Sequence, residues 1–171
     1  MALADKKVLI VVPPQDFDGD EFEMTRKVLQ SKGLRVTVAS TALGPRRGTG
    51  GVTAKAETLI KDCKSYDYDA VIFIGGPGAR AMPQNADVTK FAEDVKYKTI
   101  GAFSAAVGVL AAAKVVENKR VTGERSVAEP VRKAKGTYTG QPLEIDGKVI
   151  TAESGRYAIH LANAVISSLQ A

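Results

Sequence analysis

The sequence predicts an α/β domain built around a mostly parallel sheet, and three observations support this prediction. Residues 6–12 form an apolar strand, and a helix over about 21–32 and a second strand at 36–39 complete a strand–helix–strand unit. Residues 70–74 are a continuous apolar run, which is typical of a central parallel strand. Residues 158–169 place apolar side chains three or four positions apart, which predicts a helix with one face on the sheet.

The remaining elements follow from the same kinds of pattern. We predict an amphipathic helix over 86–96, a strand at 99–103, a helix over 105–116, a short strand at 121–122 and a strand at 148–151. The glycine-rich stretch 43–51 lacks phosphate-loop or dinucleotide-binding spacing, so we interpret it as a mobile connection. Residues 54–64 fit either a short helix or a strand, and the polar stretch 129–140 has no decisive pattern. Because no linker or repeat interrupts the chain, we expect one domain over residues 1–171.

The composition excludes several kinds of site. The 171 residues include one cysteine, Cys63, and one histidine, His160. A disulfide framework, a multi-cysteine zinc site and any centre that needs two imidazoles are therefore excluded. The acidic residues that follow the first strand would also repel a phosphate, which disfavours a nucleotide or flavin. We expect no metal and no cofactor.

The charge pattern disfavours nucleic-acid and membrane partners. There are 24 Lys and Arg against 19 Asp and Glu, a net charge of +5, but the basic residues are scattered and do not alternate with aromatic ones. The N-terminal apolar run, 8–12, is far too short for a signal peptide or a spanning helix. We therefore expect a cytoplasmic protein without nucleic-acid or membrane partners.

The candidate site lies where the predicted parallel strands end. Ligands of open parallel sheets bind beyond the carboxyl ends of the strands. Acidic residues follow the first strand, Gly75 and Gly76 follow the central one, and Ser104 follows the next. Ser104 stands at a strand-to-helix step among small neighbours, which permits a sharp turn that presents its side chain. The N–H groups near Gly76 and Ala105 could then form an oxyanion-type cradle.

Three segments together resemble the DJ-1/PfpI superfamily, whose members are similar to class I glutamine amidotransferases. They are residues 71–78, which contain Gly75-Gly76-Pro77-Gly78, residues 100–106 around Ser104, and residues 149–155, which end in Glu153-Ser154-Gly155. The resemblance runs from Lys6 to Leu169 with matching element order. It implies a flavodoxin-like three-layer α/β/α sandwich that assembles as a homodimer or a larger homo-oligomer.

The resemblance also implies roles for individual residues. The family's acidic partner of the nucleophile falls on Glu21, twelve residues before Gly33, and Gly76 and Ala105 match the oxyanion positions. At the elbow, where the family has its reactive cysteine, this chain has Ser104. Family histidines expected directly after the elbow or after the next short strand are replaced by Ala105 and, with one residue of ambiguity, Glu124.

These replacements bear on the chemistry. A serine hydroxyl is much less acidic than a thiol and needs an adjacent base to act as a nucleophile. His160 lies on the last helix, off its apolar face, and nothing in the spacing brings it to Ser104. Two carboxylates close to the Ser104 hydroxyl would leave one of them protonated near neutral pH, and Glu21 is the candidate.

Two classes of function follow. The first is a binding, stress-response or regulatory oligomer with a small polar pocket at Glu21, Gly76, Ser104 and Ala105, without the family's cysteine chemistry. The second is an enzyme that uses Ser104 and Glu21: a peptidase or amidase, or a glyoxalase- or deglycase-like enzyme. A structural interpretation stands beside both: Ser104 is then only a small residue that fits the turn, and Glu21 only a first-turn helix residue.

Overall fold

The strands and helices follow one another as a repeated β–α succession. A computed structural model describes residues 2–171. The elements are β1 (Lys7–Val11), β2 (Gln15–Phe17), α1 (Gly19–Ser31), β3 (Arg35–Ser40), β4 (Gly44–Gly48), β5 (Thr53–Ala56), β6 (Thr58–Leu59), β7 (Ala70–Phe73), α2 (Ala86–Asp94), β8 (Thr99–Phe103), α3 (Val107–Ala112), β9 (Arg120–Val121), α4 (Ala128–Lys133), β10 (Thr137–Tyr138), β11 (Leu143–Asp146), β12 (Val149–Ala152) and α5 (Ala158–Gln170).

The main sheet has seven strands in the order β11-β12-β8-β7-β1-β3-β6. Only the edge strand β11 is antiparallel to its neighbour, and the other pairs are parallel. In the register of the central strands, Ile10 lies between Val38 and Ile72. The chain extends the sheet from β1 to β3 in one direction and from β7 to β8 and β12 in the other. The crevice between the ends of β1 and β7 is therefore the topological switch point, where such sheets bind ligands.

Two apolar layers cover the sheet. Leu29 of α1 and Leu161 of α5 belong to the core on one face, while Phe91 of α2 and Leu110 of α3 belong to the core on the other. All four side chains are buried, because each of these four helices presents its apolar stripe to the sheet. This arrangement confirms the predicted flavodoxin-like three-layer α/β/α sandwich with a mostly parallel sheet.

The glycine-rich stretch 43–51 is not a mobile connection, and that prediction was wrong. Gly44–Gly48 form β4, which pairs antiparallel with β5 and parallel with β2 in a separate three-stranded sheet, and Thr49–Gly51 form a 3₁₀ turn. Gly48 permits this pairing because a Cβ there would collide with the ring of Phe17. The close packing of the Gly48 backbone against the Phe17 ring therefore explains why glycine stands at this position, and mobility does not.

The segments without a decisive pattern also acquire structure. Residues 54–64 continue β5 and form β6, and residues 129–140 contain most of α4 and all of β10. The helix predicted over 105–116 is shorter than expected, since α3 is preceded by a 3₁₀ turn at Ser104–Ala106. Lys114, just beyond the helix, has a φ of +61°, which ends the helical path. No helix within residues 2–171 has the length and apolarity that crossing a bilayer would require.

Candidate functional site

Ser104 occupies a sharp turn directly after β8. Its φ is +45°, in the left-handed region that residues with a side chain rarely adopt. Such a conformation costs of order 1 kcal/mol and persists only where the surrounding structure holds it. The residue is 9% exposed. The strand-to-turn geometry expected from the sequence is therefore present, with the hydroxyl held in a nearly closed setting.

Glu21 lies beside this hydroxyl although 83 residues separate the two in the chain. It sits in the first turn of α1, where the Asp18 side chain caps the helix by accepting from the Glu21 N–H at 2.9 Å. The Glu21 side chain projects into the sheet crevice and the residue is 1% exposed. Its Oε1 accepts from the Gly75 N–H at 2.7 Å, and its Oε2 lies 3.1 Å from Ser104 Oγ.

This environment favours the neutral carboxyl group. The pKa of Glu21 is raised from its ordinary value of 4.5 to about 8, mainly by burial and next by the negative charge of Asp18. The hydrogen bonds from Gly75 and Ser104 lower the pKa but do not offset the burial, and Glu124 adds a small increase. Glu21 is thus mainly protonated near neutral pH, in the predicted direction, but burial is the main cause and the second carboxylate contributes less.

Gly75 and Gly76 bring the neighbouring segments into contact. A Cβ on Gly75 would collide with Ser104 Oγ and would stand only 2.6 Å from the Phe103 carbonyl oxygen. Gly76 has a φ of +99°, and a Cβ there would lie 2.8 Å from the carbonyl carbon of Phe17. The Asp18 N–H donates to the Gly75 carbonyl at 2.9 Å. Only glycine fits this close approach of the ends of β2 and β7.

Glu124 reaches the rim of the site as half of an ion pair. The Arg80 guanidinium donates to both of its carboxylate oxygens, at 2.8 and 3.1 Å, and the Ser126 hydroxyl donates to it as well. The guanidinium holds the pKa of Glu124 below its ordinary value. The Glu124 side chain is 27% exposed and lies in the loop before the 3₁₀ turn Arg125–Val127, so this ion pair is at the surface. Arg80 was not singled out from the sequence, where its place just after Gly75–Gly78 was the sole signal.

Ala105 connects the elbow to a larger cavity. It is buried and lines a groove of about 530 Å³, which Arg80 also borders. A second cavity of about 420 Å³ lies on the other side of Arg80, against Asp16, Pro77 and Gly78. The Arg80 side chain therefore borders two cavities, of which only the larger one reaches the elbow.

The other reactive side chains lie elsewhere. His160 is exposed on α5 and meets the ring of Tyr157 edge-on, with a centroid distance of 6.2 Å. Cys63 is half-buried, its thiol donates to the Leu59 carbonyl, and burial raises its pKa. Neither residue provides Ser104 with a base or a substitute nucleophile. Within residues 2–171, no three His, Cys, Asp or Glu side chains are arranged to hold a metal ion.

The site defines a class of protein: a doubly wound α/β fold with a strained elbow and a buried carboxyl group at the switch point of its sheet. The model of the DJ-1/PfpI family matches residues 6–168, and the chain belongs to that family.

Similar proteins cover nearly all of this chain. An uncharacterized protein of Methanocaldococcus jannaschii is 34% identical over 163 residues, which are 91% of this chain and 78% of that protein. The glutathione-independent glyoxalase DJR-1.2 of Caenorhabditis elegans is 28% identical over 172 residues, which are 98% of this chain and 90% of that enzyme. The crystal structure of a ThiJ/PfpI domain protein from Brachyspira murdochii superimposes with a TM-score of 0.91 at 25% identity, covering 96% of both chains.

Proposed function

We propose that this chain is a non-covalent member of the DJ-1/PfpI family, which binds a small polar ligand at the elbow in a stress-response or regulatory role. In this proposal Ser104 stands where the family has its reactive cysteine, as the sequence resemblance implies. The observation that carries the proposal is the 3.1 Å contact between the Ser104 hydroxyl and a carboxyl group whose pKa is about 8.

The contact argues against a serine nucleophile at neutral pH. The Ser104 hydroxyl donates to Oε2 when Glu21 is ionised. Because the Gly75 N–H occupies Oε1, we place the proton of neutral Glu21 on Oε2, which reverses this hydrogen bond so that Glu21 donates to Ser104 Oγ. A group that donates to the hydroxyl cannot at the same time remove its proton. The serine then lacks the base that nucleophilic catalysis requires, since His160 lies on the surface of α5. Peptidase and amidase chemistry is disfavoured for the same reason.

The same arrangement suits ligand binding. With Oγ accepting from Glu21, the Ser104 hydroxyl hydrogen remains available to a ligand oxygen. We place the predicted oxyanion groups, the N–H of Gly76 and of Ala105, around the same ligand atom. A small carbonyl compound or carboxylic acid offers the acceptor oxygen that such a cradle takes.

Thiol reactivity at the elbow tests the proposal. In a Cys63→Ser background, Ser104→Cys should react with iodoacetamide at neutral pH faster than Ser31→Cys, an exposed reference thiol on α1. The wild type should consume neither methylglyoxal nor a peptide amide, whereas Ser104→Cys should gain methylglyoxal consumption. Turnover by the wild type that disappears in Ser104→Ala would contradict the proposal and establish Ser104 as catalytic.

A glyoxalase-like activity is the second candidate, and one observation favours it. A carboxyl group with a pKa of about 8 populates both protonation states at mildly alkaline pH, so Glu21 could transfer a proton next to a carbonyl without a cysteine. The Caenorhabditis elegans relative is named a glutathione-independent glyoxalase. In this case methylglyoxal consumption by the wild type should rise with pH through about 8 and disappear in Glu21→Gln. Consumption that persists in Glu21→Gln would exclude Glu21 as the base.

We also propose that the chain works as a homodimer or a larger homo-oligomer in the cytoplasm, without nucleic-acid or membrane partners. The support is the family resemblance and the scattered basic residues of the sequence. Sedimentation velocity over a range of protein concentrations tests the assembly. A monomer at every concentration would contradict it.

A further inference from the structure

The groove that begins at Ala105 is a feature that the elbow chemistry does not use. It has a volume of about 530 Å³, within the range of small-molecule sites, and runs between α3, α4 and the 3₁₀ segment Pro77–Gln84. Its floor on the α3 side consists of Ala105, Gly108, Ala111 and Ala112. These positions share one helix face and carry no group larger than a methyl, which leaves open space between the two helices.

The opposite wall is mainly apolar, although Gln84 and Ser126 also line the groove. Val127 and Pro130 line it from the α4 side, and Pro83 lines it from the 3₁₀ segment. A Cβ on Gly108 would lie 3.1 Å from Pro83 and 3.8 Å from Val127, so both walls stand close to the α3 backbone. The groove is therefore narrow, and it suits a slender apolar chain better than a broad protein surface.

Positive charge collects at the end far from the elbow. Lys114 and Lys133 line both the groove and an adjoining cavity of about 340 Å³, which Lys135 and one carboxylate, Glu117, also border. Neither Lys114 nor Lys133 takes part in any of the ion pairs found within residues 2–171. At the near end, by contrast, Arg80 is already paired with Glu124. Three ammonium groups against one carboxylate leave an excess of positive charge at this end of the apolar groove.

We propose that this groove binds an amphipathic monocarboxylate, with its apolar chain along α3 and its carboxylate between Lys114 and Lys133. Ala105 and Lys114 are the ends of a path along α3 (Val107–Ala112) and its flanking turns. At a rise of about 1.5–2 Å per residue this path is on the order of 13 Å long, which matches a medium-length aliphatic chain. Contact with the apolar walls favours binding of the aliphatic part of the ligand, and the two ammonium groups favour a negatively charged head group. The groove meets the site proposed at Ser104 only at Ala105, and the carboxylate would lie at the opposite end.

Calorimetric titration of the full-length protein with decanoate tests the proposal. The decanoate concentration is kept below that at which micelles form. Decanol is the uncharged control, decyltrimethylammonium is the control of opposite charge, and acetate is the control without a long aliphatic chain. Decanoate should bind more tightly than all three. Octanoate should bind about tenfold more weakly, because it buries two fewer methylene groups. Added salt should weaken decanoate binding and leave decanol binding unchanged.

Variants locate the site. Lys114→Gln combined with Lys133→Gln should weaken decanoate binding about tenfold, because two partly exposed ion pairs are lost. Ala112→Phe should abolish binding by filling the groove from an exposed position that the core does not need. Lys32→Gln, at the end of α1, is the matched control and should bind as the wild type does.

Several outcomes would overturn the proposal. They are the absence of decanoate binding, equal binding of decyltrimethylammonium, and binding that survives both the double lysine variant and Ala112→Phe. A change of sedimentation from oligomer to monomer in Ala112→Phe would also overturn it, since a second copy of the chain would then occupy the groove. If Ala112→Phe does not fold, the double lysine variant still decides the question.

Discussion

Replacing Glu21 by Gln should remove a large pH dependence of stability. Gln can keep both contacts, since its carbonyl accepts from the Gly75 N–H and its amide donates to Ser104 Oγ. It cannot ionise. In the wild type the folded state holds the Glu21 proton more tightly than the unfolded state does. The resulting stabilisation is therefore complete below pH 4.5 and is lost as the pH rises to about 8.

The size of the effect follows from the two pKa values. Between 4.5 and about 8, the free energy of unfolding falls by about 1.4 kcal/mol per pH unit for one group, which amounts to about 5 kcal/mol. Below pH 4.5 the wild type and Glu21→Gln should have similar stability. At pH 8 the variant should be more stable by several kcal/mol, which corresponds to a shift of about 2 M in the urea midpoint.

Urea titrations of both proteins from acidic to alkaline pH measure this difference. Comparison with the variant cancels the contribution of all other titrating groups. Glu23 lies on the same helix and is not fully buried, so Glu23→Gln should show the same dependence of unfolding free energy on pH as the wild type. Parallel stability curves for the wild type and Glu21→Gln would refute the reasoning. Glu21 would then ionise in the folded protein much as it does in the unfolded chain, and a base for Ser104 would exist at neutral pH.

Three further substitutions test neighbouring parts of the structure. Asp18→Asn keeps the helix cap but removes a charge that raises the pKa of Glu21. Carboxyl titration followed by NMR should therefore show a lower pKa for Glu21. An unchanged pKa would contradict the contribution assigned to Asp18. Gly75→Ala should lower the free energy of unfolding, measured by urea titration, by about 1–3 kcal/mol, because the added methyl group collides with Ser104. Wild-type stability would show that the crevice is looser than described. Leu110→Ala should cost about 2–5 kcal/mol by the same measurement because its side chain is fully buried, and a smaller loss would mean that the α3 layer collapses into the cavity.

The fold class was predictable because apolar periodicity is a local signal. The runs that became β1, β7 and β8 have the continuous apolar character that burial on both faces requires, and α5 has its apolar residues on one side. The stretch 43–51 could not be assigned in this way, because β4 has a glycine- and arginine-rich sequence with no strand pattern. It becomes a strand because β2 and β5 provide hydrogen-bond partners from other parts of the chain.

The residues of the candidate site could be proposed from the sequence, but the burial and the partners of their side chains could not. The resemblance singled out Ser104 and Glu21, and the three-dimensional structure places their oxygens 3.1 Å apart. The pairing of Glu124 with Arg80 could not be predicted from the sequence, since 44 residues separate the two side chains. An ion pair of that kind depends on two loops that meet only after the sheet has formed.

The sequence by itself determined the class of fold, the strand ends that meet at the site and the absence of a second histidine to act as a base. Only the tertiary structure decided the protonation of Glu21, the partner of Glu124 and the groove between α3 and α4. The physical reason is that periodicity and residue type are local properties of the chain. Desolvation, ion pairing and empty volume depend on segments that are distant in sequence and become neighbours when the sheet assembles.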